Sequence, residues 1–351
     1  KREDNHVTGK IVKDENGNTV MIPGSLKCVK GIGWFIEEYG IAQISMNLTN
    51  ISITSVHIAF DETCRKAEER GIRVTGSELV GLIPLQAMLD AGKYFLRKQR
   101  RSVGVSEKEL LKIAVKSMGL DDLKPFNPKE KIIEYMLDND DKKKLIDMSL
   151  TDFADETASE SPAPGGGSIS AYVGSLGVSL ATMVANLSSH KRGWDNRWEE
   201  FSDWAEKGQK IKDELLHLVD EDTNAFNKIM ETFGLPKGSN EEKAARQEAI
   251  QEASKYAIEI PFKVMQKAYE SMEIIKAMAE IGNPNSVSDA GVGALCARTA
   301  VMGAYLNVKI NASGVDDSDF VNEKLSKGLE IEEKAKELEA EILKIVNEKI
   351  T

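Results

Sequence analysis

An α+β N-terminal portion followed by an all-α helical bundle is the fold class that this 351-residue sequence predicts. Three observations predict it: two alternating apolar segments joined by a Gly turn near the start, long stretches rich in Ala, Glu, Lys and Leu after Trp194, and a charge-dense connector between the two regimes. With 41% apolar and 29% charged residues, the chain has material for two domains with cores of their own.

In order along the chain, CVKGIGWFIEE and IAQISMNLTN read as two strands with a turn near Tyr39 and Gly40. In the second, Ala42, Ile44, Met46 and Leu48 alternate with Gln43, Ser45, Asn47 and Thr49, so a sheet turns the polar set either to water or to a cleft. SVHIAFDETCRKAEERG reads as a helix ending at Gly71, and IRVTGSELVGLIP as a further strand and loop. LQAMLDAGKYFL and SEKELLKIAVKSMGL read as helices. DNDDKKKLID then marks a connector, which sets the expected boundaries at 1–137, a linker at 138–148, and a helical domain at 149–351. Beyond it, helices are expected from Trp194 to Phe233, from Glu241 to about Ile281 with a kink or break at Pro261, and from about Val287 to the end.

Composition narrows the function classes. A net charge of -11 argues against nucleic acid, whose phosphates demand an excess of Lys and Arg along one face. An anionic ligand therefore needs a local basic patch. Cys28, Cys64 and Cys296 are too widely spaced for a zinc site or a disulfide framework, which points to a reducing, cytoplasmic setting. The opening Lys1-Arg2-Glu3-Asp4, without an initiator Met or an apolar leader, reads as a fragment whose upstream part is missing. The uncharged run between Glu160 and Lys191 is long enough to raise a membrane span, but its Pro/Gly start, its serines, Thr182 and Asn186 favour a helix buried on all sides in a bundle.

Four stretches carry candidate chemistry. SPAPGGGSIS opens that uncharged helix with Gly165, Gly166, Gly167 and Ser168, whose bare N–H groups at the positive end of the helix dipole suit a carboxylate or carbonyl oxygen. Close packing of the loop on another helix is the alternative. The loop is neither a Walker loop nor a GxGxxG, and nothing in the chain calls for a metal or a nucleotide. In IKDELLHLVDEDTNAFNKIMETF, Asp222 falls inside the apolar stripe of Leu215, Leu218, Val219, Phe226 and Ile229, while Asp220 points to the polar side and is expected to be solvated. A carboxylate facing a bundle core loses solvation, which raises its pKa toward the range useful for proton transfer. A structural Asp satisfied by a neighbouring helix fits the same spacing. SSHKRGWDNR brings His190, Lys191, Arg192 and Arg197 to a helix C-terminus, where the dipole favours cations and where an anionic tail could be held. In GNPNSVSDAGVGALCARTAVMGAYLNVKIN, Asn283-Pro284 marks a turn, Asp289 sits in a first helical turn, and Gly291, Gly293 and Gly303 suggest close helix contact. Asn307 and Asn311, one turn apart, either read a heterocycle or tie two helices together.

SPAPGGGSISAYVGSLGVSLATMVANL, LVDEDTNAF and the stretches GNPNSVSDAGVGAL and GAYLNVKIN are similar to the cyclodeaminase/cyclohydrolase family, a likeness that runs from roughly Leu150 to the C-terminus, while GIGWFIEEYGIAQISMNLTN, VTGSELVGLIP and KPFNPKEKIIEYML resemble the C-terminal subdomain of a formimidoyltransferase. Together they resemble the formimidoyltransferase-cyclodeaminase family of histidine degradation. The resemblance implies conversion of 5-formimidoyltetrahydrofolate to 5,10-methenyltetrahydrofolate and ammonia, with a tetrahydrofolate derivative as substrate. Asp222 would be the catalytic residue. Gly165, Gly166, Gly167, Ser168, Asn283, Asp289 and Asn307 would orient the pterin or the formimidoyl group, and Lys191 and Arg192 would hold the glutamate or polyglutamate tail. The transferase's catalytic histidine belongs to a subdomain that this sequence does not contain, and His57 does not inherit its role, so the transferase half is expected to be inactive. It would keep part of a folate cleft, lined by Gln43, Ser45, Asn47 and the loop Gly76-Ser77-Glu78. Dimers built into a larger ring are implied as well. A methenyltetrahydrofolate cyclohydrolase and a non-catalytic helical folate-binding scaffold are the alternatives.

Overall fold

The computed structural model describes residues 2–3, 9–137 and 144–350. The chain divides into two compact units, Lys1–Phe95 with Leu110–Asp138, and Leu96–Glu109 with Asn139–Thr351. Of the expected linker, residues 138–143 lie outside the described residues, and Leu145–Asp147 form a single 3-10 turn.

The first unit opens on a hairpin. Strand β1, Val29–Ile36, pairs antiparallel with β2, Ile41–Leu48, with Val29 opposite Leu48 and Ile36 opposite Ile41. Gly40, at φ +63°, supplies the left-handed residue of the turn. Helices α1 (Val56–Glu68), α2 (Leu85–Lys98), α3 (Glu107–Met118), α4 (Pro128–Lys131) and α5 (Ile133–Leu137) follow. Met88, Ala91, Phe95, Leu111, Met118 and Ile132 form the core. The strand expected in IRVTGSELVGLIP does not form: among the described residues, Ile83 makes a single parallel bridge to Ile132, and residues 72–82 join no ladder. A β-branched run becomes a strand only where a neighbour accepts its backbone groups. His57 is buried, stacks on Tyr94 at 4.6 Å, and has its Nε2 2.9 Å from Ser55 Oγ, where burial pushes its pKa down.

The second unit is helical. It comprises α6 (Leu150–Thr157), α7 (Gly166–Ser189), α8 (Trp198–Phe233), α9 (Asn240–Ile281), α10 (Val287–Ala312) and α11 (Ser318–Ile350). Ser149 caps α6 by accepting from Asp152 N–H, and Ser239 with Glu242 forms a reciprocal capping box on α9. Phe201, Leu215, Ile258, Met265, Ile275 and Ile342 are fully buried between these helices.

Helices α7 and α10 run antiparallel and touch through small residues. A Cβ on Gly177 would lie 2.9 Å from Gly293 O, and one on Gly293 the same distance from Gly177 O, so both positions need the bare backbone. Pro261 does not end α9, which runs through it. Its ring lacks the N–H that would bond Ala257 O, and Asn311 Nδ2 donates to that carbonyl instead, at 2.7 Å.

Two expectations about burial need correction. Helix α7 is long and apolar enough to cross a membrane, and 61% of its most apolar window is buried inside the unit, but it is not covered on all sides. Leu176 and Leu187 stay 45% and 47% exposed. The apolar stripe of α8 is likewise uncovered toward its end, at Phe226, Met230 and Phe233.

Residues 96–109 belong with the helices for a physical reason. Val103 N–H donates to Ser202 Oγ at 3.0 Å, and Gly104 O accepts from Asn186 Nδ2 at 2.8 Å and Gln209 Nε2 at 3.2 Å. A Cβ on Gly104 would stand 2.2 Å from that of Ala205.

Candidate active site

The site forms where α7 begins against the middle of α8. Gly165 opens α7 with no side-chain cap, leaving the first N–H groups of the helix without a local acceptor. Asp222 supplies one from α8. Ser168 N–H donates to Asp222 Oδ2 at 2.9 Å, and Ser168 Oγ lies 3.1 Å from the same oxygen while donating to Val219 O at 2.9 Å. A carboxylate at a helix N-terminus is favoured by the dipole. A Cβ on Gly167 would fall 2.0 Å from Asp222 Oδ1, so the third glycine is there to let the carboxylate approach. Part of the bare backbone expected to face a ligand thus faces the protein's own acid.

Asp222 is half-buried, and burial pushes its carboxyl above the ordinary carboxylate range. The Ser168 backbone N–H and hydroxyl dipole pull the other way but do not cancel it. Beside it opens a cleft of about 190 Å³, lined by Pro162, Gly165, Gly166, Thr223, Phe226 and Asn307 among others. A dry cavity of ~150 Å³ accommodates benzene, so this cleft has room for the reacting end of a heterocyclic ligand.

Its polar groups divide into committed and free. Asn307 Nδ2 donates to Gly303 O at 2.9 Å and lies over Gly166, whose Cβ would be 3.2 Å away. Asn311 is committed to the Ala257 carbonyl that Pro261 leaves without a helical donor, so of the two readings for that residue the helix tie holds. Thr223 Oγ1 is buried without a partner at the cleft wall. Helical spacing puts Thr223 three positions after Asp220, on the side where periodicity expects polar residues. Only its neighbour Asp222, one position away on the helix, could have signalled it.

Asp220 is not solvated. Its Oδ1 accepts Leu145 N–H at 2.6 Å, its Oδ2 is buried without a partner, and burial pushes its carboxyl up as well. It anchors the 3-10 turn ahead of α6 rather than facing water.

Four other candidates stand at the wrong end of α7. A 24-residue helix is about 36 Å long, and Lys191 and Arg192 follow its last turn. Asn283 N–H donates to Ser188 Oγ at 2.8 Å, which places it there too. Asp289 lies in the first turn of α10, whose antiparallel course starts at that same end. Lys191 Nζ sits 4.2 Å over the Trp194 ring. At this far end lies a second groove of about 490 Å³, lined by Thr182, Asn186, His190, Gln209 and Lys212 among others. Asn186 Oδ1 and Gln209 Oε1 are buried there without partners.

In the first unit, Gln43 and Ser45 are half-buried on β2 and Asn47 is exposed. Gly76 and Ser77 serve the turn after α3: Ser77 Oγ donates to Met118 O at 2.6 Å, and a Cβ on Gly76 would press on Asp122 at 2.4 Å. Glu78 is exposed. Among the described residues, no group of three or more His, Cys, Asp or Glu is placed to hold a metal ion.

Comparison with known proteins adds relatives for both units. The family described as formiminotransferase-cyclodeaminase matches residues 149–329, and the formiminotransferase domain matches residues 2–138. A formimidoyltransferase-cyclodeaminase of Gallus gallus is 38% identical over 336 residues, which is 95% of this chain and 62% of that protein. The chain thus spans less than two thirds of that relative's length. A methenyltetrahydrofolate cyclohydrolase of Methylorubrum extorquens is 38% identical over 177 residues, half of this chain (50%) and 85% of that protein. The crystal structure of formiminotetrahydrofolate cyclodeaminase from Thermotoga maritima superposes with a TM-score of 0.53 at 27% identity, covering 59% of this chain and all (100%) of that one. With its helical unit and its N-terminal residues each matched by one half of the same fusion, the chain belongs to the formiminotransferase-cyclodeaminase family.

Proposed function

We propose that residues 149–351 form a folate-dependent cyclodeaminase that converts 5-formimidoyltetrahydrofolate to 5,10-methenyltetrahydrofolate and ammonia, and that residues 1–137 are the α+β C-terminal part of a formimidoyltransferase. The observation that carries this reading is Asp222: a carboxylate with an upward-shifted pKa, at a cleft, with one oxygen fixed by Ser168. N10 attacks the formimidoyl carbon and gives up its proton to Asp222. In the tetrahedral adduct, Asp222 returns that proton to the exocyclic nitrogen. The bond from carbon to that nitrogen then breaks, ammonia leaves, and the reaction as a whole takes up one proton from solvent. A carboxyl raised toward neutrality serves both transfers better than one ionised throughout. Asn307, Thr223 and the Gly165–Gly166 backbone supply polar contacts for the pterin. Ser168 is a positioning residue, since it acts through Asp222.

The test is spectroscopic, following methenyl-folate formation together with ammonia release. Asp222→Asn is expected to slow both by on the order of 100-fold or more, the usual cost of a lost proton-transfer group; unchanged turnover would overturn the assignment. A second reading, favoured by the cyclohydrolase relative, has water attack the methenyl carbon in the same cleft. Disappearance of methenyl-folate without ammonia release distinguishes it. We also propose self-association, supported by the exposed Leu176, Leu187, Leu306 and Ile310.

A further inference from the structure

Thr223 follows Asp222 on α8, and its hydroxyl departs from what the other helical threonines do. Past the first turn of a helix, a threonine hydroxyl ordinarily donates to the carbonyl four residues earlier. Thr63, Thr157, Thr182 and Thr299 do so at 2.7–2.8 Å, and Thr232 bonds the carbonyl three residues earlier at 2.6 Å. Thr223 Oγ1 does neither and is buried without a partner. The reason lies in α7. Ser168 Oγ donates at 2.9 Å to Val219 O, the carbonyl four residues before Thr223. That oxygen already accepts the helical N–H of Thr223, so Ser168 takes its second lone pair.

A buried hydroxyl without a partner costs stability, and such a group calls for an explanation outside the fold itself. Thr223 lines the same cleft as Asp222, Asn307 and the Gly165–Gly166 backbone. The amide N–H groups of Asn307 and Asn311 are already given to Gly303 O and Ala257 O. A threonine in a helix has two side-chain rotamers open to it, so the hydroxyl can turn to a ligand with no movement of the backbone. The reacting group of the ligand has the complementary need. Protonated, the formimidoyl nitrogen carries two N–H groups and no lone pair, and so requires two acceptors.

Resting on the proposed function and deepening it, we propose that Thr223 determines specificity for the departing nitrogen: its Oγ1 accepts one N–H of the protonated formimidoyl group while Asp222 accepts the other. Ser168 then positions both residues, since it fixes Asp222 and keeps Thr223 off Val219 O. The proton that the reaction takes up from solvent is the one on this nitrogen. As the bond from N10 to carbon forms, the carbon–nitrogen π electrons become a lone pair on an NH2 group, and N10 passes its proton to Asp222. Thr223 keeps one N–H of that group, which turns the new lone pair toward the protonated Asp222. Asp222 returns the proton, the carbon–nitrogen bond breaks with its electron pair on nitrogen, and ammonia leaves. A formyl oxygen in the same place has no N–H to give, and it would set an acceptor against a carboxylate.

The experiment uses Thr223→Val in the full chain, which keeps the shape and removes the hydroxyl. With 5-formimidoyltetrahydrofolate, kcat/KM is expected to fall on the order of 10- to 100-fold, the usual cost of a hydrogen bond to a charged group. The Ki of 5-formyltetrahydrofolate as a competitive inhibitor should change by less than about threefold. Thr223→Ser should keep most of the wild-type rate. Because the Thr223 hydroxyl has no partner in the free protein, Thr223→Val should melt no lower than wild type. A cycle with Ser168→Ala isolates the second part: with Val219 O vacated, Thr223 turns to it, and Thr223→Val then costs about threefold or less. Unchanged kcat/KM in Thr223→Val, an equal loss of formyl affinity, a Thr223→Ser variant as slow as Thr223→Val, or a melting temperature lowered along with activity overturns the role of Thr223. Equal losses in both backgrounds overturn that of Ser168. A wild-type chain that converts no 5-formimidoyltetrahydrofolate overturns the proposed function and this inference with it, whereas an active wild type with an unaffected Thr223→Val overturns this inference alone.

Discussion

Asp222 is stabilised in place by Ser168 and destabilised by its own burial, and the second effect is the larger. The consequence for stability has a definite sign. A carboxyl whose folded pKa is raised contributes most to stability below its unfolded value of 3.8, and that contribution is lost as pH rises through the folded pKa. Asn does not titrate. Asp222→Asn should therefore melt higher relative to wild type at neutral pH than at pH 3, a difference read by thermal unfolding across the pH range; a constant offset would mean that burial does not govern this group. Gly167→Ala tests the close approach. Alanine suits a helix interior better than glycine by up to ~1 kcal/mol, yet here its Cβ would stand 2.0 Å from Asp222 Oδ1. The carboxylate must move, and turnover is expected to fall by at least tenfold even if the melting temperature barely changes.

Helix α9 shows how one element's defect is repaired by another. Pro261 leaves Ala257 O without its helical donor, and Asn311 of α10 provides one beside the cleft wall at Ala257. Asn311→Leu keeps the size and removes the donor, so it should cost about 1–3 kcal/mol, the usual penalty for a stranded buried acceptor, measurable by denaturant unfolding. The same pair explains why a proline that sequence rules mark as a break is accepted inside a 42-residue helix. Periodicity could place Pro261 and Asn311 on their helices but could not show that they meet.

The helical unit includes a piece of chain from well before its other helices. Gly104 seats against Ala205, and its carbonyl serves two amides, from Asn186 and Gln209. Gly104→Val should overpack that seat and destabilise by about 1–3 kcal/mol or more, with the loss appearing in the unfolding of the helical unit; a neutral result would show that residues 96–109 are dispensable to it. No composition shift marks residues 96–109, because the segment is bound by a few specific contacts and not by a hydrophobic period. The division expected at residues 138–148 rests on a signal of the opposite kind, since the charge-dense run DNDDKKKLID stands out in residue order.

By itself the sequence determined that helices dominate after residue 149, that the glycines of α10 suit a close helix contact, and that Asp222 turns inward, because each follows from spacing along a single helix. Tertiary structure alone decided that Asp220 is tied to the turn at Leu145, that the third glycine makes room for a carboxylate, and that Lys191, Arg192, Asn283 and Asp289 lie a helix length from the cleft. Those facts depend on which end of one helix meets which end of another. Side-chain periodicity reports faces, and carries no information about ends.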